Sequence, residues 1–251
     1  MNADAQDINR RWFKRFGRKD DTARVRLLCF HHAGGSAAMY RRWPSMMPAY
    51  VEPVAVQLPS RADRFAEPAH DCMTLLVDDL VDAMKPLLDR PFACYGISMG
   101  ARVAWTFTHT LRERAMPLPT HLYVACDPAP ITDDGSWPWQ RRSDGLEGYL
   151  REMGGTPVEV LDQPELLRAL LPTLESDLSV LSTHDFHPAT PLDLPIRAFA
   201  GVDDPVATPE RMDRWRTETS ASFALHRLPS GHFLNSDAEH QVVQTIVRDL
   251  I

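Results

Sequence analysis

The stretch Cys94-Tyr95-Gly96-Ile97-Ser98-Met99-Gly100-Ala101-Arg102 contains the pattern Gly-x-Ser-x-Gly. Alone it is a weak signal, because a Gly-Ser turn in any loop can satisfy it. It gains meaning between a strand and a helix, where the serine sits on a sharp turn and its small neighbours let the two backbones approach. The flanks meet that condition. Pro91 to Gly96 is a short apolar run, and Met99 to Arg112 carries Ala101, Ala104, Trp105 and Thr108 on one helical face. A serine so held points its hydroxyl out of the sheet at the start of the helix. There the Met99 N–H and the helix dipole favour a developing oxyanion.

Outward from this point, short apolar runs recur: Val25–Phe30, Pro53–Leu58, His121–Cys126, Pro195–Ala200 and Phe223–Leu228. Bounded by Pro, Gly or Asp, they fit strands of a sheet covered on both faces. Helical spacing recurs over Met73–Leu88 and Ala238–Leu250, and Thr208-Pro209-Glu210 reads as a helix start. The alternation predicts an α/β fold with a mostly parallel central sheet flanked by helices. From Asp127 to Leu194 no strand is visible. Pro128–Gly145 reads as a loop, and helices are expected over Leu146–Met153 and Pro164 to about Leu181. The second carries Leu166, Leu167, Leu170, Leu171, Leu174, Leu178 and Leu181, either as ordinary core or as a lid over an apolar site. The expected organisation is a single domain over residues 1–251, with a helical lid inserted over residues 128–190.

Composition narrows the function classes. The chain has 251 residues and a net charge of −7, with no long basic run, which argues against nucleic-acid binding. No apolar run approaches the roughly 18 residues of a membrane span, and the polar opening lacks a signal-peptide core. A cytoplasmic protein without membrane contact is therefore expected. Cys29, Cys72, Cys94 and Cys126 have no paired spacing, and three sit in strand-like runs, so neither a disulfide frame nor a metal site is expected.

A serine nucleophile needs partners. A loop after an early strand should supply a second oxyanion donor, and Phe30-His31-His32-Ala33-Gly34-Gly35 follows Val25–Phe30. The adjacent His31 and His32 read as substrate contacts or as a solvated pair. The base should be a histidine after the last strand, and His232, in Pro229-Ser230-Gly231-His232, has that position. His226 lies in the strand, while His184 and His187 lie in the insertion. The acid must come between Ser98 and His232 in the chain. The loop after Pro195–Ala200 favours Asp204, with Asp203 beside it, and Asp127 after His121–Cys126 is the alternative.

With these pieces placed, the chain resembles the type II thioesterases, the editing hydrolases of non-ribosomal peptide and polyketide synthases, within the α/β-hydrolase superfamily. The resemblance rests on RRWFKRF, FHHAGGSA, QLPSRADRFAEP, YGISMGARVAW, the leucine-rich lid segment and AGVDDPV through LPSGHFL, nearly the whole chain. It implies Ser98 as nucleophile, His232 as base and Asp204 as acid, with the Met99 and Ala33 N–H groups as oxyanion hole. It also implies hydrolysis of acyl thioesters on the phosphopantetheine arm of acyl or peptidyl carrier proteins by a monomeric enzyme. No cofactor is expected, since the thioester is already activated. Acidic carrier proteins call for basic patches, and Arg10, Arg11, Lys14, Arg15, Arg18 and Lys19, or Arg41, Arg42, Arg61 and Arg64, are the candidates. Four positions depart from the family pattern: Ile97 for histidine, His31 for proline, Ser60 for glycine, and Asp127 where a basic residue is usual. They leave two rivals: an acyltransferase or cyclase on the same scaffold, and a non-catalytic carrier-binding protein.

Overall fold

The apolar runs pair side by side into one sheet, as seen in a computed structural model that describes residues 3–17, 22–130, 138–156, 158–184 and 189–251. The strands are β1 (Phe13–Lys14), β2 (Val25–Phe30), β3 (Val51–Val56), β4 (Phe92–Ile97), β5 (Leu122–Ala125), β6 (Ile196–Gly201) and β7 (Phe223–Leu228). Their order is β1-β3-β2-β4-β5-β6-β7, parallel throughout except for β1 against β3. The helices are α1 (Ala3–Trp12), α2 (Trp43–Met46), α3 (Met73–Met84), α4 (Met99–Glu113), α5 (Gly145–Met153), α6 (Val158–Leu161), α7 (Pro164–Ser182), α8 (Pro209–Asp213) and α9 (Ser236–Asp249).

Alternation along the strands builds two cores. Leu28, Phe30, Phe92 and Cys94 face a cluster with α3, α4 and α7, while Leu27, Cys29, Ala93 and Tyr95 face Trp43 and the Val242–Ile246 stripe of α9. Fully burying each such Leu or Phe contributes about 1.5–3 kcal/mol. Cys29, Cys94 and Cys126 are buried free thiols.

Three local differences from the sequence reading have physical causes. The third strand begins at Val51, not Pro53. Pro53 is tolerated inside it because β1 reaches only Ala55 and Val56, so no strand covers that edge at the proline. The helix α4 is buried almost all round, not on one stripe, because α3 and α7 pack over the side away from the sheet. The leucines of α7 divide: Leu174, Leu178 and Leu181 are buried in the core, while Leu166 and Leu170 are exposed and α5 buries no side chain. The core reading of that helix holds for Leu174, Leu178 and Leu181, with Leu167 buried as well, while Leu166 and Leu170 form an exposed apolar edge. Arg18, Lys19, His187 and the part of the predicted loop from Ile131 to Trp137 lie outside the described residues.

Candidate active site

The β4–α4 turn is tight for backbone reasons. A Cβ on Gly96 would lie 2.1 Å from the Gly100 carbonyl oxygen, and one on Gly100 would lie 2.2 Å from the Phe30 oxygen. No side chain fits either gap. Between them Ser98 is held at φ 52°, ψ −128°, a region costing a non-glycine residue about 1–3 kcal/mol. Its N–H donates to the Ala125 carbonyl at 2.8 Å, tying the elbow to the end of β5. Ile97 is buried with Tyr95 and Ala125 in the core on the α9 side. It fills space behind the serine.

Two loops converge on Ser98 from the neighbouring strand ends. Beyond β6, Asp204 Oδ1 accepts the Val206 and Ala207 N–H groups at 2.8 and 2.9 Å. Its other oxygen accepts from His232 Nδ1 at 2.9 Å. With Nδ1 donating, His232 Nε2 is left to accept from the Ser98 hydroxyl, at 3.1 Å. The two loops touch through glycine: a Cβ on Gly201 would lie 2.4 Å from the Gly231 oxygen. Burial pushes the Asp204 carboxyl up, but the His232 hydrogen bond and charge, with the two amides, outweigh it and hold it below the usual range.

The other two acids are disposed differently. Asp203 is exposed. Asp127 is buried, but its Oδ2 accepts from Arg102 Nε at 2.6 Å, and its carbonyl accepts from Trp215 Nε1 at 2.7 Å. Arg102 is fully enclosed in α4. The acidic departure after β5 thus answers a basic residue in α4.

The loop after β2 lies against the elbow, as the contact of Gly100 with Phe30 and His31 requires. Neither histidine is solvated as a pair. His31 is buried, donates Nδ1–H to the His32 oxygen, and is held well below the usual imidazole range by burial and then by the Arg61 charge. His32 donates Nδ1–H to the Ala33 oxygen at 2.8 Å. The Gly35 N–H turns back to the His32 oxygen at 3.0 Å, and the Gly34 N–H goes to Asp177 Oδ2 at 2.7 Å. Among the described residues the Ala33 N–H, between these two fixed groups, has no hydrogen-bond partner. Phe233 stands between His232 and His32 with edge-on ring contacts to both.

Sequence reasoning missed Asp177. It lies on α7, bonded to Arg61 at 2.6 and 2.7 Å. The signal was present: Leu174, Asp177, Leu178 and Leu181 form one buried stripe, and an acid on such a stripe needs a partner. Arg61 and Arg64, expected in a surface basic patch, are buried, while Lys14 pairs with Asp63 and Arg15 with Glu52.

An apolar cleft of about 290 Å³ opens between the Ala33 loop and α7, lined by Ala33, Gly34, Phe65, Leu170, Leu174 and Phe233 among others. Ser98 itself does not line it. A larger pocket of about 450 Å³ lies by the first residues of β3, at the opposite strand ends from Ser98. Ligands of parallel α/β sheets bind at the carboxyl ends, which favours the smaller cleft. Among the described residues no cluster of three or more His, Cys, Asp or Glu could hold a metal, and no helix is long and apolar enough to cross a membrane.

A serine on a strained elbow at the carboxyl end of a central strand, in a mostly parallel sheet flanked by helices, defines the α/β-hydrolase class. Within that class, residues 25–250 match the family model described as thioesterase domain, and the chain belongs to the thioesterase family of acyl-thioester hydrolases. The thioesterase PikA5 of Streptomyces venezuelae is 34% identical over 96% of this chain and 85% of its own length. The type II thioesterase BorB of the borrelidin cluster superposes with a TM-score of 0.85 at 29% identity, covering 96% of this chain and 98% of its own. The linear gramicidin dehydrogenase LgrE of Brevibacillus parabrevis is 35% identical over 89% of this chain and 87% of its own length. Despite that relative's name, this chain contains no Gly-x-Gly-x-x-Gly run of the kind that forms a dinucleotide-binding turn.

Proposed function

We propose that this thioesterase hydrolyses acyl groups from the phosphopantetheine arm of acyl or peptidyl carrier proteins, with Ser98 as nucleophile, His232 as base and Asp204 as acid. The observation that carries the reading is His232 bridging Asp204 and Ser98 at 2.9 and 3.1 Å, with the serine in its strained elbow. The thioester enters from the cleft beneath α5–α7, which serve as the lid. Ser98 Oγ attacks the thioester carbonyl as its proton passes to His232 Nε2, and Asp204 stabilises the imidazolium. The Met99 and Ala33 N–H groups hold the tetrahedral oxyanion. The C–S bond breaks, the thiol takes the proton from His232, and an acyl-serine remains. A water deprotonated by His232 then attacks it, releasing the acid and restoring Ser98.

The names of the relatives favour carrier-bound substrates, since PikA5 and BorB are thioesterases and BorB belongs to a biosynthetic cluster. Neither transfer to an amine or hydroxyl nor a non-catalytic role is favoured by an observation at the site. A cofactor-free, cytoplasmic monomer completes the reading. The test is mass spectrometry of a panel of acyl-loaded carrier proteins after exposure to wild type and to Ser98→Ala. Free acid with wild type and intact thioester with the variant are expected. An amide or ester product, or full turnover by Ser98→Ala, overturns the reading.

A further inference from the structure

The Arg61–Asp177 pair is more than a buried ion pair, because its carboxylate also takes a backbone amide of the loop beside Ser98. Asp177 Oδ2 accepts from both Gly34 N–H, at 2.7 Å, and Arg61 Nη1, at 2.6 Å, while Oδ1 accepts from Arg61 Nη2 at 2.7 Å. Arg61 Nη1 also reaches the Gly35 carbonyl at 3.2 Å. The Ala33–Gly34 peptide is therefore gripped at both ends, its N–H by Asp177 and its carbonyl by His32 Nδ1. The preceding peptide has its carbonyl fixed by the Gly35 N–H. Of the four polar groups of these two peptides, only the Ala33 N–H has no partner among the described residues. Ser60 and Thr173 tie the same two segments again: their hydroxyls lie 2.9 Å apart, and Thr173 donates to the Ser60 carbonyl. Ser60 stands at φ 66°, a position glycine would take without strain, and its hydroxyl adds this link to α7.

We propose that Asp177 is a positioning residue for the oxyanion hole, through which the lid helix α7 fixes the direction of the Ala33 N–H. The oxyanion donor is then set by the part of α7 that packs in the core through Leu174, Leu178 and Leu181, an effect on turnover more than on substrate binding. The inference rests on the reading of Ala33 as an oxyanion donor. Charge-assisted bonds from a carboxylate to an amide and a guanidinium are strong enough for such a grip.

The test compares wild type, Asp177→Asn and Asp177→Ala on an acyl-pantetheine thioester, with Ser98→Ala as control. The asparagine variant keeps one acceptor for Gly34; the alanine keeps none. The expected order of kcat is wild type, then Asn, then Ala, with the alanine variant down on the order of 10²-fold, the cost of a misplaced catalytic group. The KM is expected to hold within about threefold, since ground-state binding does not use the oxyanion hole. The affinity of an alkyl boronic acid, which forms a tetrahedral adduct on Ser98, is expected to fall in step with kcat. Wild-type kcat in Asp177→Ala, or lost turnover with unchanged boronate affinity, overturns the proposal. Should the alanine variant not fold, Asp177→Asn decides by the same criteria. Full activity of Ser98→Ala would instead overturn the underlying assignment of the nucleophile, so the two failures are separable.

Discussion

The ends of β5 and β6 each present a buried aspartate, and their partners make them different groups. Asp204 meets an imidazole that also reaches Ser98; Asp127 meets a guanidinium enclosed in α4. An imidazole can gain and lose a proton near neutral pH, whereas a guanidinium cannot. The carboxylate on His232 can therefore respond to a proton moving during a reaction. The one on Arg102 neutralises a fixed charge. Burial alone does not distinguish them.

The largest effect expected from this contrast is on rate. Asp204→Asn should lower kcat by about 10⁴-fold, as loss of the orienting carboxylate does in serine hydrolases, with the protein still folded by circular dichroism. A loss below tenfold would erase the distinction between the strand ends. The next effect is on stability. Asp127→Asn takes from the buried Arg102 the carboxylate it meets at 2.6 Å and should destabilise by about 1–3 kcal/mol in urea unfolding, while steady-state kcat changes less than tenfold. A rate loss matching that of Asp204→Asn would move the acid to β5. Replacing both partners, Arg102→Met with Asp127→Leu, should recover most of that stability.

The smallest effect concerns pH. The Asp204 carboxyl is held below its unfolded value of about 3.9. Its contribution to stability is therefore complete above that value and is lost as pH falls through the lowered one. Acid unfolding of Asp204→Asn below about pH 4 should be less steep than that of wild type, a difference that parallel acid titrations would detect. Identical acid limbs would mean the carboxylate gains nothing from its partners on folding.

How much of this was legible in the sequence varied with the range of the interactions. Six of the seven strands follow from local apolar runs, because a buried parallel strand needs little beyond its own side chains. β1 and α1 escaped notice: a two-residue antiparallel edge carries no periodicity, and the helix before it is short and polar. The approach of Ser98 and His232 was suggested by their positions at strand ends. The different partners of Asp204 and Asp127 were not legible that way, because they depend on Arg102, a residue on α4 that reaches Asp127 and the Pro128 carbonyl 25 and 26 residues further on. Arg61 was misread as surface charge for the same reason: its partner Asp177 lies 116 residues further on, and no spacing rule connects them.

The clearances around Gly96 and Gly100 separate two things that the five-residue pattern joins. Both glycines are demanded by backbone contact with Phe30 and with each other, whatever residue stands at position 98. A descendant of this chain that lost its serine would still need them, and would still fold into the same elbow. The outer letters of the pattern thus record a shape and, under the proposed function, only the middle one records a reaction, so a search keyed to the glycines would gather relatives with and without the serine alike.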